Sequence, residues 1–499
     1  MHIMIVGAGL MGPAATYRAL IDPSVDRITL VDRDEEALAQ ARGAIDRALD
    51  YRDVHHWRQE GENPRTGENA LLLRAEHPAR YPLETFILDL DDPKAASTVF
   101  ADADVILCAL PWEATRLAVR AALDAGVPLV DLSIPDDEEM AELARETERT
   151  KGFIVLGCGL EPGLTEIEAR RLAGRFDRVD SVHIMVGGIP SEPSGRLGYR
   201  IVFGGRKLPL RNIPAMVVRQ GRRVDIPRYS EVEPALFAGV GRLEAWQEGV
   251  IPWMLDRLEL KDVAEVSQKT IRWPGYAHYA RALNDLGLLG TRPVDVDGTS
   301  VVPKDLVDAV LRPDVTFGPD DRDITLFRVE LRGIIGGEEK TWRTEFIDRF
   351  DEKTGFTSMA RTTAFTGAII ARMMADGTIA GTGLHTPDEL LHDGPLEKLY
   401  SELRKDGIRF RSEYYTSVEK YMEDGRIVVD PTSETELARA RDWIATFFDP
   451  EEKYDEYAML EAIDALQGFG ASPEILQQMT DGGWFSFDPE SGVYRRRKE

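Results

Sequence analysis

The sequence predicts an α/β protein: a doubly wound parallel sheet, an α+β domain inserted after it, and a small, mainly helical C-terminal extension. Three observations predict it. Short apolar runs alternate with helical segments through the first 157 residues, and a glycine-rich turn joins the first run to the first helix. Beyond about residue 176, β-rich segments separated by turn residues replace that alternation. At 499 residues the chain exceeds the roughly 250–300 at which a single core stops growing, so two or more domains are expected.

Residues 3–7, IMIVG, form the first apolar run, which leads into Gly7-Ala8-Gly9-Leu10-Met11-Gly12 and then the helical PAATYRAL. This strand, glycine turn and helix are what a Rossmann-type dinucleotide fold requires. Gly7 permits the tight turn, Gly9 lets a pyrophosphate approach the backbone, and Gly12 allows close packing of helix on strand, while the helix N-terminus faces the negative charge. Pro13 suits a first helical turn, where its missing N–H removes no intrahelical bond. RITLVDRD supplies the second strand and ends in Asp32, twenty residues past Gly12, where a carboxylate accepts hydrogen bonds from the adenosine ribose. Asp32 favours NAD because it repels a 2′-phosphate. Arg33 can pair with that phosphate or stack on adenine, which leaves NADP open.

The helix DEEALAQARGAIDRAL runs into a polar insert over 52–82, longer than ordinary connections between helix and strand. His55 and His56 are adjacent within it and diverge by about 100° on a helix, a poor geometry for chelation. FILDLDD is the third strand, with Asp89 and Leu90 near the adenine edge. ADVILCALP is the fourth, ending at Leu110-Pro111-Trp112, where the nicotinamide half is expected. PLVDLSIPDDEE is the fifth, with Asp131 at its carboxyl end, and FIVLGCG is the sixth. Ligands of such sheets bind at the carboxyl ends of the strands, so the cleft is expected near residues 110, 131 and 157. GCGLEPG follows the last strand and reads as a second wall over the nicotinamide edge, or alternatively as an interdomain hinge.

From VDSVHIMVGGIPS to LFRVELRGIIGGEEKTWRTEFIDRF the alternation suits an antiparallel sheet open on one face. SMARTTAFTGAIIARMMADGTI then returns to helical periodicity and can pack back on the first domain. The expected organisation is a dinucleotide-binding domain over 1–157 with a returning helix at 358–376, a substrate domain over 158–357, and an extension over 377–499. In the extension, TPDELLHDGPLEKLYSELRKDG, SETELARARDWIATFF and EYAMLEAIDALQGFG read as amphipathic helices, with a small hairpin from GIRFRSEYYTSV and GRIVVD between the first and second. A helical cap or an oligomer contact is the expected role.

Composition narrows the function. With 61 basic and 87 acidic residues, and a net charge of −26, the chain lacks the clustered cations that nucleic acid requires. No apolar run approaches the ~18 residues of a membrane span. The start MHIMIVGAG has no signal-peptide features, so a cytoplasmic location is expected. Cys108 and Cys158 are the two cysteines, expected to be reduced and buried, and no pattern has metal-ligand spacing.

GAGLMG, GCGLEPGLTEI, GGIPSEPSGRLGYRIVF and TIRWPGYAHYARALNDLGLL occur in an order that resembles the saccharopine dehydrogenase family, particularly the branch that includes lysine 6-dehydrogenase. SMARTTAFTGAIIARMM resembles that family's returning helix. The resemblance covers about residues 1–390. It implies an NAD(P)-dependent oxidoreductase acting on the carbon–nitrogen bond of a lysine-derived amino acid, with a Rossmann domain and an inserted substrate domain; a homo-oligomer is also expected. Tyr276 stands where the family often has histidine after its proline-glycine pair, with His278 two places on.

Such chemistry needs a proton acceptor for the amine and a guanidinium for the substrate carboxylate. Candidates for handling the proton are Asp131 and Glu161 near the sheet edge, with Tyr199 and His278 from the second domain, and Asp131 and Tyr199 are the first choices as catalytic residues. Asp131 can also hold the substrate ammonium, or serve merely as the N-cap of PDDEEMAEL. Tyr199 matches the tyrosine of the family's GGxP…GY pattern, or is core. Glu161 and His278 are candidate substrate contacts. Arg272 is the first choice for the carboxylate by resemblance, then Arg200, then Arg196. Trp112 and Trp273 can shield the site. A related enzyme for a polyamine or another amino acid, and a non-catalytic NAD-binding sensor, are the alternatives.

Overall fold

The computed structural model describes residues 1–60, 81–203, 207–423 and 425–497. Most of the 52–82 insert, including the side chains of His55 and His56, lies outside the described residues.

The first sheet has seven strands, in the order Gly383–His385, Phe153–Val155, Leu129–Asp131, Val105–Cys108, His2–Val6, Arg27–Asp32, Leu83–Ile87. All of its pairings are parallel. The six expected strands are present, and the order reverses direction between His2–Val6 and Val105–Cys108, which opens the ligand crevice at that switch point. The seventh strand comes from the region read as extension: Gly383–His385 pairs with Phe153–Val155. Its three residues carry too little pattern to be read as a strand from sequence.

The second sheet has nine strands. Its main path is Glu233–Phe237, Gly241–Gln247, Glu265–Arg272, Arg178–Pro190, Asp323–Ile335, Glu338–Arg349, Arg411–Thr416, with Ala215–Arg219 and Arg222–Ile226 attached beside Glu265–Arg272. It is mixed rather than purely antiparallel, because Arg178–Pro190 and Glu265–Arg272 run parallel, from Glu265 opposite Ser181 to Thr270 opposite Val186. The long excursion between these strands supplies the crossover that a parallel pair needs. Nor is one face left open. Arg343, 1% exposed, donates to Thr446 and stacks 3.9 Å from the Phe447 ring, so the C-terminal region covers the far face at the Asp323–Thr416 end.

The returning helix, Ser358–Ala375, is buried almost all round and joins the two sheets. Asp323 on the second sheet accepts from Ser358 N at 2.7 Å and Met359 N at 2.9 Å, pinning the helix start. At Gly188 an added Cβ would lie 2.1 Å from Met359 Cε, and at Gly367 it would lie 2.4 Å from Leu132 Cδ2. Glycine at both positions lets the helix close against both layers.

The C-terminal region has a core of its own around Trp443, Phe448, Ile463 and Phe485. Helices Glu434–Ala445, Glu456–Leu466 and Ser472–Asp481 pack with a three-stranded sheet of Tyr454–Asp455, Val493–Arg496 and Phe485–Asp488. The expected hairpin does not form. Arg411–Thr416 instead joins the large sheet beside Glu338–Arg349, and Arg426–Ile427 pairs with Met422–Glu423. The alternating pattern of RSEYYT specifies a strand but not its partner.

Candidate active site

The first wall is the glycine turn. Gly7 has φ +110°, and an added Cβ would sit 2.6 Å from the Ala109 carbonyl oxygen of the neighbouring strand end. At Gly12 it would sit 1.8 Å from Gly7 O, so the helix Met11–Leu20 can approach the strand only with glycine there. Gly9 differs: its Cβ would meet nothing within 4 Å. The space before Gly9 is open, as a turn that receives a pyrophosphate requires. The residues present therefore fit a dinucleotide.

Asp32 supports this turn. Its Oδ2 accepts from Ala8 N at 2.7 Å and its Oδ1 from Asp34 N at 3.0 Å. Arg33 is exposed and has no ion pair among the described residues. Asp89 is exposed, accepting from Asp91 N at 3.1 Å, and Leu90 is half-buried. The Leu110 side chain borders Gly7. Pro111 precedes the helix Trp112–Ala125, and the Trp112 indole donates to Glu139.

The floor is the end of the fifth strand. Asp131 is fully buried and takes hydrogen bonds from Ser133 Oγ at 2.6 Å, Ser133 N at 3.2 Å and Thr115 Oγ1 at 3.3 Å. Burial raises its pKa to about 7, against the lowering effect of these donors. The helix cap is Asp136, so Asp131 is not the N-cap of PDDEEMAEL. Cys108 and Cys158 are free and buried, and burial followed by the Asp131 charge pushes both thiols well above their usual range.

The second wall is GCGLEPG. Gly157 N donates to Ser133 O at 2.9 Å and Cys158 N to Asp131 O at 2.8 Å, so this turn is tied to the floor. Gly163 has φ +136°, and a Cβ there would overlap Gly159 O at 2.2 Å. From this turn the half-buried Glu161 meets the second domain, where Gln268 Nε2 donates to its Oε1. Burial, then the neighbouring Glu166 carboxyl, raises Glu161 to about 8, while Gln268 and Arg272 act in the opposite sense.

Gln268, Thr270 and Arg272 alternate along Glu265–Arg272 and so share one face of the second sheet. Beside them Glu248 accepts from Thr270 Oγ1 at 3.4 Å and is paired with the buried Arg228. Arg272 is 8% exposed and has no carboxylate partner among the described residues. Its Nη1 donates to Ile271 O at 2.8 Å, and its Nε has no partner. Its guanidinium lies 4.5 Å from the Tyr199 ring centroid, 5.7 Å from Tyr276 and 5.9 Å from Trp246. The hydroxyls of Tyr199 and Tyr276 are buried without a well-formed hydrogen bond. Burial raises the Tyr199 pKa, and the Arg272 guanidinium opposes that rise.

The geometry thus groups Glu161, Tyr199 and Arg272, and sets other candidates apart. Arg200 is held by Ser194 Oγ at 2.8 Å, Thr316 O at 2.7 Å and Asp321 at 3.2 Å. Arg196 is exposed and pairs with Asp314 at 3.3 Å. His278 is exposed, its ring 5.7 Å from that of Tyr279. The Trp273 indole donates to Pro190 O at 2.9 Å. Sequence reasoning missed Gln268, although its period-two spacing from Arg272 is a usable signal. Glu248 and Arg228 carry no local signal, because folding alone brings them beside Thr270. Among the described residues no group of three or more His, Cys, Asp or Glu side chains could hold a metal ion, and no helix is long and apolar enough to cross a membrane.

Comparison with known proteins shows which family the chain resembles. Residues 3–153 match the model of the saccharopine dehydrogenase NADP binding domain, and residues 159–408 that of the saccharopine dehydrogenase C-terminal domain. The saccharopine dehydrogenase [NADP(+), L-glutamate-forming] of Schizosaccharomyces pombe is 20% identical over 406 residues, covering 65% of this chain and 87% of the relative. The enzyme of the same name from Saccharomyces cerevisiae is 20% identical over 370 residues, covering 60% and 82%. The solved apo structure of the L-Glu-forming saccharopine dehydrogenase from Saccharomyces cerevisiae shares the fold, with a TM-score of 0.64 at 17% identity, covering 83% of this chain and 100% of that one. With both domain models matched in order and a nicotinamide-dinucleotide turn to go with them, the chain belongs to the saccharopine dehydrogenase family of NAD(P)-dependent oxidoreductases acting on carbon–nitrogen bonds.

Proposed function

We propose that the protein acts on the C–N bond of a lysine-type amino acid or a saccharopine-like adduct. The observation that carries this reading is Arg272, a buried guanidinium with no carboxylate partner among the described residues, ringed by tyrosines whose hydroxyls lack good partners. An uncompensated buried charge is costly, and a planar guanidinium is suited to bidentate capture of a carboxylate. A substrate carboxylate is the group that completes this site. A polyamine has none to offer, which favours the amino-acid reading over that alternative.

When bound, the nicotinamide cofactor supplies hydride transfer, which leaves the protein to position the substrate, exclude water and handle a proton. The turn from Gly7 to Gly12 would hold the pyrophosphate, with Asp32 for the adenosine ribose and Arg33 for a 2′-phosphate; Leu110 and Pro111 would border the nicotinamide half, and Asp89 and Leu90 the adenine edge. Arg272 holds the substrate carboxylate, with the Tyr199 and Tyr276 hydroxyls as further donors. Asp131 orders the floor through Ser133 and Thr115.

The test is the change in reduced-nicotinamide absorbance with NAD and NADP against lysine, saccharopine, other amino acids and polyamines. Turnover of lysine or saccharopine in preference to polyamines supports the reading. Firm cofactor binding with no turnover of any amine refutes it in favour of a sensor.

A further inference from the structure

Resting on that reading, we infer that Glu161 takes the proton from the substrate nitrogen, and that Glu166, on the first turn of the following helix, is the positioning residue that governs it. Glu161 is the carboxyl that stands on the turn beyond the sheet edge and reaches across to the substrate domain. Its Oε1 is engaged by Gln268, whose own Oε1 accepts from Ile251 N at 3.3 Å, so the amide is oriented to donate. Glu161 Oε2 has no hydrogen-bond partner among the described residues. A substrate nitrogen anchored through Arg272 on the same sheet face can use that oxygen.

The other candidates are less available. Asp131 is sealed by Ser133 and Thr115, the Cys158 thiol is buried, and His278 is exposed away from the group. Glu166 is 1% exposed. Its Oε2 accepts from Gly163 N at 2.6 Å and Thr165 Oγ1 at 2.8 Å, while its Oε1 is buried without a partner. It therefore fixes the turn that carries Glu161 and places a second carboxyl close to it.

The charged groups facing this pair are few. Toward Glu161 they are Glu166, Glu248 and Arg272, with Glu248 itself paired to Arg228. Toward Glu166 the further group is Asp388, which is held by Arg257 at 2.6 Å. Burial dominates both carboxyls and raises Glu166 to about 7 and Glu161 to about 8. In the proposed step the N–H bond of the substrate ammonium breaks and an O–H bond forms on Glu161. One positive and one negative charge disappear together, and the nitrogen lone pair is freed for the C=N bond. The step requires ionised Glu161, so the rate follows that ionisation as pH rises.

The experiment is a pH profile of kcat/KM with lysine and with saccharopine for wild type, Glu161→Gln and Glu166→Gln. Thermal melts confirm that each variant is folded. Glu161→Gln is expected to lose roughly 10²–10⁴-fold in kcat/KM, the range for a general base. Glu166→Gln retains an acceptor for Gly163 N but loses the charge, and is expected to move the rising limb to lower pH. A folded Glu161→Gln within tenfold of wild type, or a limb that Glu166→Gln leaves in place, overturns the inference. An infrared titration of the protonated carboxyl band in the cofactor-free protein provides a readout without turnover. A band that Glu161→Gln removes and Glu166→Gln shifts to lower pH supports the coupling, and its absence overturns it. If wild type oxidises no amine while that band behaves as expected, the proposed function has failed but the coupled pair has not.

Discussion

Arg272→Met separates a ligand-binding role from a structural one. The substitution removes a guanidinium that is 8% exposed, has no carboxylate partner among the described residues and leaves its Nε without a hydrogen bond. Within the folded protein it costs one hydrogen bond, from Nη1 to Ile271 O, and the cation–π contacts with Tyr199, Tyr276 and Trp246, and in exchange removes a buried charge that has no ion pair among the described residues. Methionine can fill the same channel against Tyr199, Tyr276 and Trp246. The melting temperature is therefore expected to hold or rise. Binding suffers, because a charge-assisted contact to a carboxylate is worth about 1.5–3 kcal/mol, which is about 10- to 150-fold in kcat/KM. The assay compares lysine with its decarboxylated diamine in wild type and variant, alongside differential scanning calorimetry. Wild type should prefer lysine by that factor, and Arg272→Met should lose the preference. Arg272→Lys should recover only part of it, since an ammonium cannot form the bidentate fork. A variant that melts several degrees lower yet keeps its preference for lysine would show that Arg272 supports the fold and not the substrate.

Gly12→Ala places a Cβ 1.8 Å from Gly7 O and is expected to weaken nicotinamide binding at least about tenfold, ~1.4 kcal/mol, by fluorescence titration; unchanged affinity would remove this turn from the cofactor site. Asp32→Ala removes the acceptor for Ala8 N together with the charge that opposes a 2′-phosphate, so NAD should weaken more than NADP, and the opposite order would assign NADP selectivity to other residues. For pH, Asp131, Glu161 and Glu166 all have pKa values raised by burial, from 3.8 to about 7, from 4.5 to about 8 and from 4.5 to about 7. The folded state then binds more protons than the unfolded one between about 4 and 8, so these groups add stability at the acid end of that window and lose it as pH rises. Glu345 acts oppositely: burial raises it, but Arg328, Arg343 and Arg411 prevail and hold it at about 2, so its contribution is lost in acid. The melting temperature should fall from about pH 5 toward pH 8, and the double variant Glu161→Gln/Glu166→Gln should flatten that decline. An equally steep decline in the double variant would show that other groups titrate.

By itself the sequence determined the parallel sheet, the glycine turn with Asp32, the returning helix and the candidacy of Arg272. Each of these rests on local periodicity, on backbone conformations that only glycine allows, or on a run of neighbouring residues. Tertiary structure alone decided that Gly383–His385 closes the first sheet and that RSEYYT joins the second rather than a hairpin. A strand pattern records which face is buried but not which strand lies alongside. It also set the arginines in different surroundings. Arg196 and Arg200 form ion pairs with Asp314 and Asp321, while Arg272 is buried among aromatic rings with no ion pair among the described residues. Whether a charge is satisfied depends on which distant carboxylates the fold brings within a few ångströms, and that distance is not written in any local stretch of residues.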